Sequence, residues 1–159
     1  SLKRSTKKLI KNYYEFYQYG TFSGMIKRII GKTTDEDIIK MKIKEYFSNR
    51  LLIVDEYHNL REETESLNDD GSNEVKTALQ NLKKVLMYSE NLRVIFLTAT
   101  PMFNNAKEIF QLLNLMLLND KRPLINEKYY IDRKTGKINS SGVEMINKKC
   151  RGYISYLRG

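Results

Sequence analysis

Two short apolar runs constrain the fold of this 159-residue chain more than any other feature. The first is Leu51 to Val54 and the second is Val94 to Leu97, and polar residues follow each run at once. Such runs are typical of strands buried on both faces of a parallel sheet. Between them lies a helical apolar stripe that Ser72 is expected to cap, made of Val75, Ala78, Leu79, Leu82, Val85 and Leu86. The pattern predicts a right-handed βαβ unit and an α/β fold with a mainly parallel sheet.

The residues before the first run are predicted to be mainly helical. Helices are expected at residues 5–14, at Thr21 to Ile30, and after an N-cap at Thr34, where carboxylates occupy the first turn. Phe16 to Tyr19 is interpreted as a short aromatic strand that Gly20 ends. The third helix is expected to turn three residues inward, namely Ile39, Ile43 and Phe47.

The residues after the second run predict a helix, a polar excursion and two short elements. Asn104 or Asn105 caps an apolar helix that continues through Leu118. Asp132 to Lys137 is typical of a hairpin turn within a polar stretch. A short helix near Val143 to Lys149 and a last strand near Gly152 to Tyr156 are expected to complete the chain.

The net charge of +9 is distributed unevenly along the chain. Residues 1–50 carry 12 basic and 5 acidic side chains (+7), residues 51–100 carry 5 and 9 (−4), and residues 101–159 carry 11 and 5 (+6). Basic flanks suit a nucleic-acid backbone, which is bound mainly by Lys and Arg. Solvated Lys-rich helices explain the same charge equally well.

Composition excludes several classes of protein. Cys150 is the only cysteine, so an internal disulfide or a multi-cysteine zinc site is impossible, and a reducing compartment is favoured. The longest uncharged apolar run, Ile109 to Asn119, is too short to span a bilayer. No stretch of signal-peptide character follows Ser1. An intracellular globular domain without a membrane partner is therefore expected.

Polar residues end both predicted strands, where open α/β sheets bind their ligands. Asp55 and Glu56 follow the first strand, and Thr98-Ala99-Thr100 follows the second. Adjacent carboxylates at such a position need a compensating charge, which Mg²⁺ with bound nucleotide phosphates supplies. In phosphoryl transfer the first acid holds the metal, and a neighbouring base orients the attacking water. Asp55 fits the first role and Glu56 fits the second.

The segments at the ends of both predicted strands resemble those of a known family. Leu52 to Arg61, which contains Asp-Glu-Tyr-His, is similar to the Walker B box of superfamily 2 DExH-type helicases, and Leu97 to Met102 is similar to their Ser/Thr-Ala-Thr box. Three further segments resemble the helicase-like ATPases of large cytoplasmic DNA viruses, a group that includes poxvirus early-transcription and termination ATPases. They are Tyr19 to Phe22, Pro101 to Asn105 and Gly152 to Gly159.

The resemblance implies a fold and a set of roles. The fold is RecA-like, of the P-loop NTPase type, with three layers. The cofactors are ATP and Mg²⁺, with Asp55 holding the metal through water and His58 coupling the nucleotide site to the rest of the motor. Thr98 and Thr100 contact the nucleotide side and link hydrolysis to movement. The segments at Thr21, Lys27 and Arg28 face the nucleic acid.

The resemblance also implies partners and a location. These are DNA or RNA, the remaining lobes of a parent helicase and the transcription machinery, in a cytoplasmic viral factory or a virion.

The phosphate-binding loop of such a motor is not found in the sequence. Gly31-Lys32-Thr33-Thr34 ends like one, but Ile26 stands where the loop needs its first glycine. Gly31 is more simply the end of a helix. Residues 1–159 are therefore expected to form a partial N-terminal ATP-binding lobe, from after that loop to before the second lobe, and to be inactive alone.

Two alternatives stay open on the sequence. The chain can be a non-catalytic nucleic-acid-binding or interaction module derived from a helicase lobe, whose motor residues are relics. The tyrosines at 13, 14, 17 and 19 either stack on bases or belong to the core and its rim, and the second interpretation is favoured.

Overall fold

The computed structural model describes residues 6, 9–11, 13–60, 70–101, 105–132 and 134–155, and between 70 and 75 it describes the backbone alone. The helices and strands, in chain order, are α1 (Tyr19–Ile30), α2 (Glu36–Phe47), β1 (Leu51–Val54), α3 (Asp70–Tyr88), β2 (Arg93–Phe96), α4 (Lys107–Asn119) and α5 (Ser140–Cys150). Single 3-10 turns lie at Tyr57–Leu60 and Glu127–Tyr129. Within these residues, no helix is long and apolar enough to cross a membrane.

The predicted strand–helix–strand unit is confirmed. β1 and β2 pair in parallel, with Leu51 opposite Arg93 and Val54 opposite Phe96. The chain passes between them through α3, because parallel strands need a long crossover connection. Within the described residues the sheet has these two strands. The mixed helix and strand structure is compatible with the predicted α/β class.

The prediction that both strands are buried on both faces is wrong for the described part of the chain. Side chains alternate between the two faces of a strand. One face packs on the helices through Leu52, Val54, Val94 and Phe96. The other face carries the exposed Arg93 together with Leu51, Ile53 and Ile95, and these three apolar side chains and Leu97, which follows β2, are between 44 and 55% exposed. The described helices therefore cover one face of the sheet and leave an open apolar face.

Helix α3 is the centre of the main core. It packs against α1, α2 and α4, and its predicted apolar stripe is buried from Ala78 to Leu86. The three predicted inward residues of α2 are buried as well, and the core includes Ile26 of α1. Each fully buried aliphatic side chain contributes about 1.5–3 kcal/mol. Burial against α3 therefore holds the strands and helices together.

The strongly apolar helix α4 contacts two separate cores. Leu112 and Leu115 belong to the core around α3. Phe110, Leu113 and Leu117 pack instead with Ile125, α5 and the predicted hairpin. The hairpin is present as an antiparallel bridge between residues 131 and 138. Because α4 is buried on opposite sides, it has few polar positions.

The structure differs from three predictions near the start of the chain. Phe16 to Tyr19 does not form a strand, because residues 14–18 are irregular and α1 begins at Tyr19. The tyrosine cluster is divided, because Tyr19 packs against the core while Tyr13 is about four-fifths exposed. The predicted placement at the core and its rim therefore does not hold for Tyr13. The N-cap of α2 is Asp35 rather than Thr34, since the Asp35 carboxylate accepts the backbone N–H groups of Asp37 and Ile38.

Other boundaries differ in smaller ways. α3 begins at Asp70, so Ser72 lies inside the helix and does not cap it. The N-cap of α4 is Ala106, while the Asn105 side chain accepts the N–H of Lys107. Residues 152–155 are a turn and irregular chain instead of a strand. Gly31 follows α1 at a φ of 75°, which confirms it as the end of a helix.

Several predictions fall wholly or largely outside the described residues. They concern the N-terminal half of the predicted 5–14 helix, Arg61 at the end of the Walker B-like segment, the Val75 side chain, Met102 to Asn104 and Tyr156 to Gly159. Residues 9–11 and 13 are helical, as predicted.

Gly142 is expected to be the residue that the close packing of α5 on the hairpin requires. A Cβ atom there would lie 2.6 Å from Cγ2 of Ile138 and 2.8 Å from the backbone oxygen of Tyr130. We expect Gly142→Ala to lower the free energy of unfolding by about 1–3 kcal/mol, because the hairpin must move to relieve the clash. Denaturant titration measures this change.

Gly24→Ala is the matched control. Gly24 is exposed inside α1, and a Cβ there meets no atom within 4 Å. Ala favours the helix by about 0.5–1 kcal/mol, so this variant should gain stability. Equal effects of the two substitutions would contradict the packing argument.

Glu15 secures the irregular segment before α1. Its carboxylate accepts hydrogen bonds from the Tyr46 and Tyr17 hydroxyls, each 2.7 Å, and from Nη1 of Arg50 at 3.1 Å. The bond from Tyr46 contributes most to lowering the pKa of Glu15, followed by the bond from Tyr17. The charged carboxylate is thus stabilised by residues of α2 and of the approach to β1.

This lowered pKa predicts a pH dependence of stability. The folded pKa of Glu15 lies below the unfolded value of about 4.3, so its contribution is present above that pH and is lost as pH falls through the folded pKa. Thermal unfolding measured between roughly pH 3 and 6 should therefore show that stability decreases less with falling pH in Glu15→Gln than in the wild type. Glu144→Gln, at an exposed position of α5, is the control and should retain the wild-type slope.

Candidate functional site

The turn after β1 has an unusual backbone. Glu56 adopts a φ of 50°, in the left-handed region that a side chain disfavours. The N–H of Glu56 donates to Oδ1 of Asp55 at 3.0 Å, and the N–H of Tyr57 donates to the carbonyl oxygen of Leu97 at 2.9 Å. Such a conformation costs about 1–3 kcal/mol and persists only where surrounding contacts enforce it. Strain of this kind is concentrated at functional sites.

Tyr57 anchors the turn in the core. Its ring is buried and packs edge-to-face on Phe96 of β2, with ring centroids 5.2 Å apart. Asp55 and Glu56 remain exposed on the other side of the turn. The pattern of one buried aromatic between polar neighbours therefore directs the two carboxylates toward solvent at the end of the sheet.

His58 joins the two polar boxes. Its Nδ1 lies 3.2 Å from Oε2 of Glu56 and 3.2 Å from Oγ1 of Thr98. A protonated Nδ1 can donate to the carboxylate, and an unprotonated Nδ1 can accept from the hydroxyl. The same Thr98 oxygen accepts the N–H of Thr100 at 3.1 Å. Asp55 precedes Glu56 in the same turn. Five predicted site residues therefore lie at one edge of the sheet, namely Asp55, Glu56, His58, Thr98 and Thr100.

A further residue contacts this turn and was missed by sequence reasoning. The Tyr19 hydroxyl donates a short hydrogen bond to the carbonyl oxygen of Asp55 and lies 3.2 Å from that of Glu56. Burial raises the pKa of Tyr19, and the charges of Asp55 and Glu56 raise it further, so the hydroxyl stays protonated. Tyr19 to Phe22 is one of the segments that resemble the viral ATPases. The contact itself could not be predicted, because every residue has a backbone carbonyl and the sequence does not mark the acceptor.

The predicted nucleic-acid residues are arranged along α1. Thr21 donates its hydroxyl to the carbonyl oxygen of Gln18 at 2.9 Å, which fixes the first turn. Lys27 and Arg28 are exposed in the last turn of the same helix. Eight residues separate Tyr19 from Lys27, a distance of about 12 Å along the helix axis. These cations thus lie farther along the helix whose first residue contacts the strand-end turn.

The residues at the strand ends suit a magnesium ion only as part of a larger ligand set. No group of three or more His, Cys, Asp or Glu side chains that could hold a metal occurs in the described ranges. Mg²⁺ usually keeps several waters and takes one or two carboxylates together with substrate phosphates. The exposed Asp55 and Glu56 pair fits that partial role.

Comparison with known proteins identifies relatives in large DNA viruses. The chain is 28% identical to a "Putative ATP-dependent RNA helicase" of Acanthamoeba polyphaga mimivirus over 99% of its length. It is 29% identical to a "Putative helicase" of Invertebrate iridescent virus 3, also over 99%, and 33% identical to a "Termination factor NPH-I homolog" of African swine fever virus over 67%. The chain spans only 13 to 14% of these relatives.

The chain is thus homologous to helicase-like proteins of viruses. More narrowly, the relatives named above carry the names of putative helicases and of a termination factor homologue of large DNA viruses, and the resemblance drawn from its motifs is confirmed at that level. No family model matches the chain. No solved structure matches it either.

The contact between His58 and Thr98 predicts a measurable effect. Thr98→Val removes the hydroxyl that bonds His58 and the N–H of Thr100. We expect a loss of about 1 kcal/mol in the free energy of unfolding, with a change in the chemical shifts of the His58 ring. Since His58 is the single histidine, its ring signals are assigned directly by NMR.

Thr21→Val is the control for this experiment. It removes another threonine hydroxyl bond, at the start of α1 and without contact to His58. Unchanged His58 signals in Thr98→Val would show that the two boxes are not joined as described.

Proposed function

We propose that this chain supplies the hydrolytic edge of an ATP-dependent helicase or translocase that acts on DNA or RNA. The observation that carries this proposal is the contact of His58 with both Glu56 and Thr98. It unites two polar boxes, 40 residues apart, that resemble the Walker B and Ser/Thr-Ala-Thr boxes of such motors. The names of the viral homologues support the same class.

The proposed roles are those that the resemblance implies, and the contacts of His58 are compatible with them. Asp55 would hold Mg²⁺ through water, the metal would neutralise the charge of the ATP phosphates, and Glu56 would orient the attacking water. A change at the Glu56 carboxylate alters its contact with His58, and His58 in turn alters its hydrogen bond with Thr98. The Thr98 oxygen also accepts the N–H of Thr100. Movement of the second strand end can then follow hydrolysis.

The nucleic acid is proposed to lie along α1. Thr21, Lys27 and Arg28 are exposed on this helix, and cationic side chains bind phosphates without regard to base sequence. The charge of the segment that contains α1 supports this assignment, because residues 1–50 carry +7.

The chain is proposed to be part of a larger machine. Residues 1–159 form a portion of a RecA-like N-terminal lobe, and the phosphate-binding loop and a second lobe complete the ATP site. The relatives, of which the chain covers a seventh or less, have room for both. We further propose a role in viral transcription inside the infected cell; the termination-factor name of the African swine fever virus relative favours the first part of this proposal.

The proposal is tested by Glu56→Gln in the natural polypeptide that contains these residues. The substitution keeps the size of the side chain and removes its basicity. Nucleic-acid-stimulated ATP turnover should fall by about 10²–10⁴-fold, while ATP affinity, measured with a fluorescent analogue, should change little because Asp55 still holds the metal.

Glu45→Gln provides the matched control, because Glu45 is an exposed glutamate on α2. It should leave turnover unchanged. Near-normal turnover of the Glu56→Gln protein would reject Glu56 as the base. Salt-sensitive nucleic-acid binding with no ATP turnover in the wild type would favour the non-catalytic module instead.

A further inference from the structure

A single side chain connects α1 to the strained turn. Tyr19 is the first residue of α1, and its hydroxyl reaches the carbonyl oxygens of both Asp55 and Glu56. These carbonyls belong to the two peptide units that flank the Cα of Glu56, and the first of these units contains the Glu56 N–H. A donor bound to both therefore restrains the rotation of the peptide that determines where the Glu56 carboxylate points.

The restraint acts on the residue that most needs one. Glu56 has a φ of 50°, and a residue in this region returns to ordinary backbone angles unless contacts prevent it. Tyr57 fixes the turn from the core side through Leu97 and Phe96. Tyr19 fixes it from the side of α1, so loss of this bond releases the half of the turn that carries Glu56.

Helix α1 is suited to transmit a displacement to this bond. It is a continuous helix of 12 residues, so its two ends move together. Met25 and Ile26 are buried against the core, while Lys27 and Arg28 are exposed in the last turn. An anion bound to Lys27 and Arg28 therefore acts on the rigid helix whose first residue is Tyr19.

We propose that Tyr19 is a positioning residue for Glu56, through which nucleic acid bound along α1 adjusts the strand-end turn. This inference rests on the proposed function, because it takes nucleic acid as the ligand of α1. It adds a physical connection between that ligand and the hydrolytic edge. Tyr19 contacts the backbone of the turn and acts on the reaction through Glu56.

The first test uses the isotope-labelled chain and requires no turnover. A short single-stranded oligonucleotide of mixed sequence is titrated into the wild type and into Tyr19→Phe, and backbone carbonyl shifts are followed by NMR. In the wild type, the oligonucleotide should shift the signals of Lys27, Arg28, Asp55 and Glu56. In Tyr19→Phe, the shifts in α1 should remain, and those of Asp55 and Glu56 should be lost.

Tyr88→Phe is the matched control. The Tyr88 hydroxyl bonds the Glu36 carboxylate and joins α3 to α2, away from the strand ends. Its removal should leave the oligonucleotide response of Asp55 and Glu56 intact. Should Tyr19→Phe fail to fold, the wild-type titration still decides, since shifts confined to α1, or an absence of shifts, overturn the inference.

The second test measures turnover in the natural polypeptide. Tyr19→Phe should reduce the ratio of stimulated to basal kcat by about tenfold, within the range usual for coupled sites, with little change in the KM for ATP. Tyr88→Phe should preserve the ratio. A preserved ratio in Tyr19→Phe overturns the inference, whereas a wild type without any turnover counts against the proposed function and leaves the NMR result to decide on Tyr19.

Discussion

The parallel pairing of β1 with β2 is the constraint on which the site depends. Because the strands run in the same direction with Val54 opposite Phe96, the residues that follow them emerge at one edge of the sheet. A shift of the register by one residue would turn Tyr57 out of the core and separate His58 from Thr98. The register is held by side chains that face α3, so the chemistry at the edge depends on apolar packing behind it.

The turn at this edge combines strong anchors with strain. Tyr57 is held in the core and Tyr19 holds the backbone from α1, while Glu56 between them has left-handed backbone angles. The carboxylate of Glu56 then meets the imidazole of His58 at 3.2 Å. Because contacts restrain the turn on both sides of Glu56, its backbone has few conformations available. This favours a change between discrete conformations over a continuous one.

The sequence predicted the elements and site residues with strong local signals. The two apolar runs and the stripe of α3 identified the βαβ unit, and the polar boxes after them identified the residues that meet around His58. Predictions failed where tertiary contacts decide. Phe16 to Tyr19 has strand-forming residues, but Glu15 binds Tyr17 and Tyr46 and holds this segment irregular. The contact of Tyr19 with this turn could not be predicted because its acceptors are backbone carbonyls 36 and 37 residues away.

The open apolar face of the sheet has a practical consequence for the chain in solution. Leu51, Ile53 and Ile95, with Leu97 just after β2, form a hydrophobic strip beside the exposed Arg93. The two short strands have no further strand partner at their outer edges within the described residues. Exposed strand edges next to apolar side chains recruit other strands. Preparations of the chain by itself should therefore self-associate increasingly with concentration, and mild detergents or fusion to a soluble carrier should keep it dispersed.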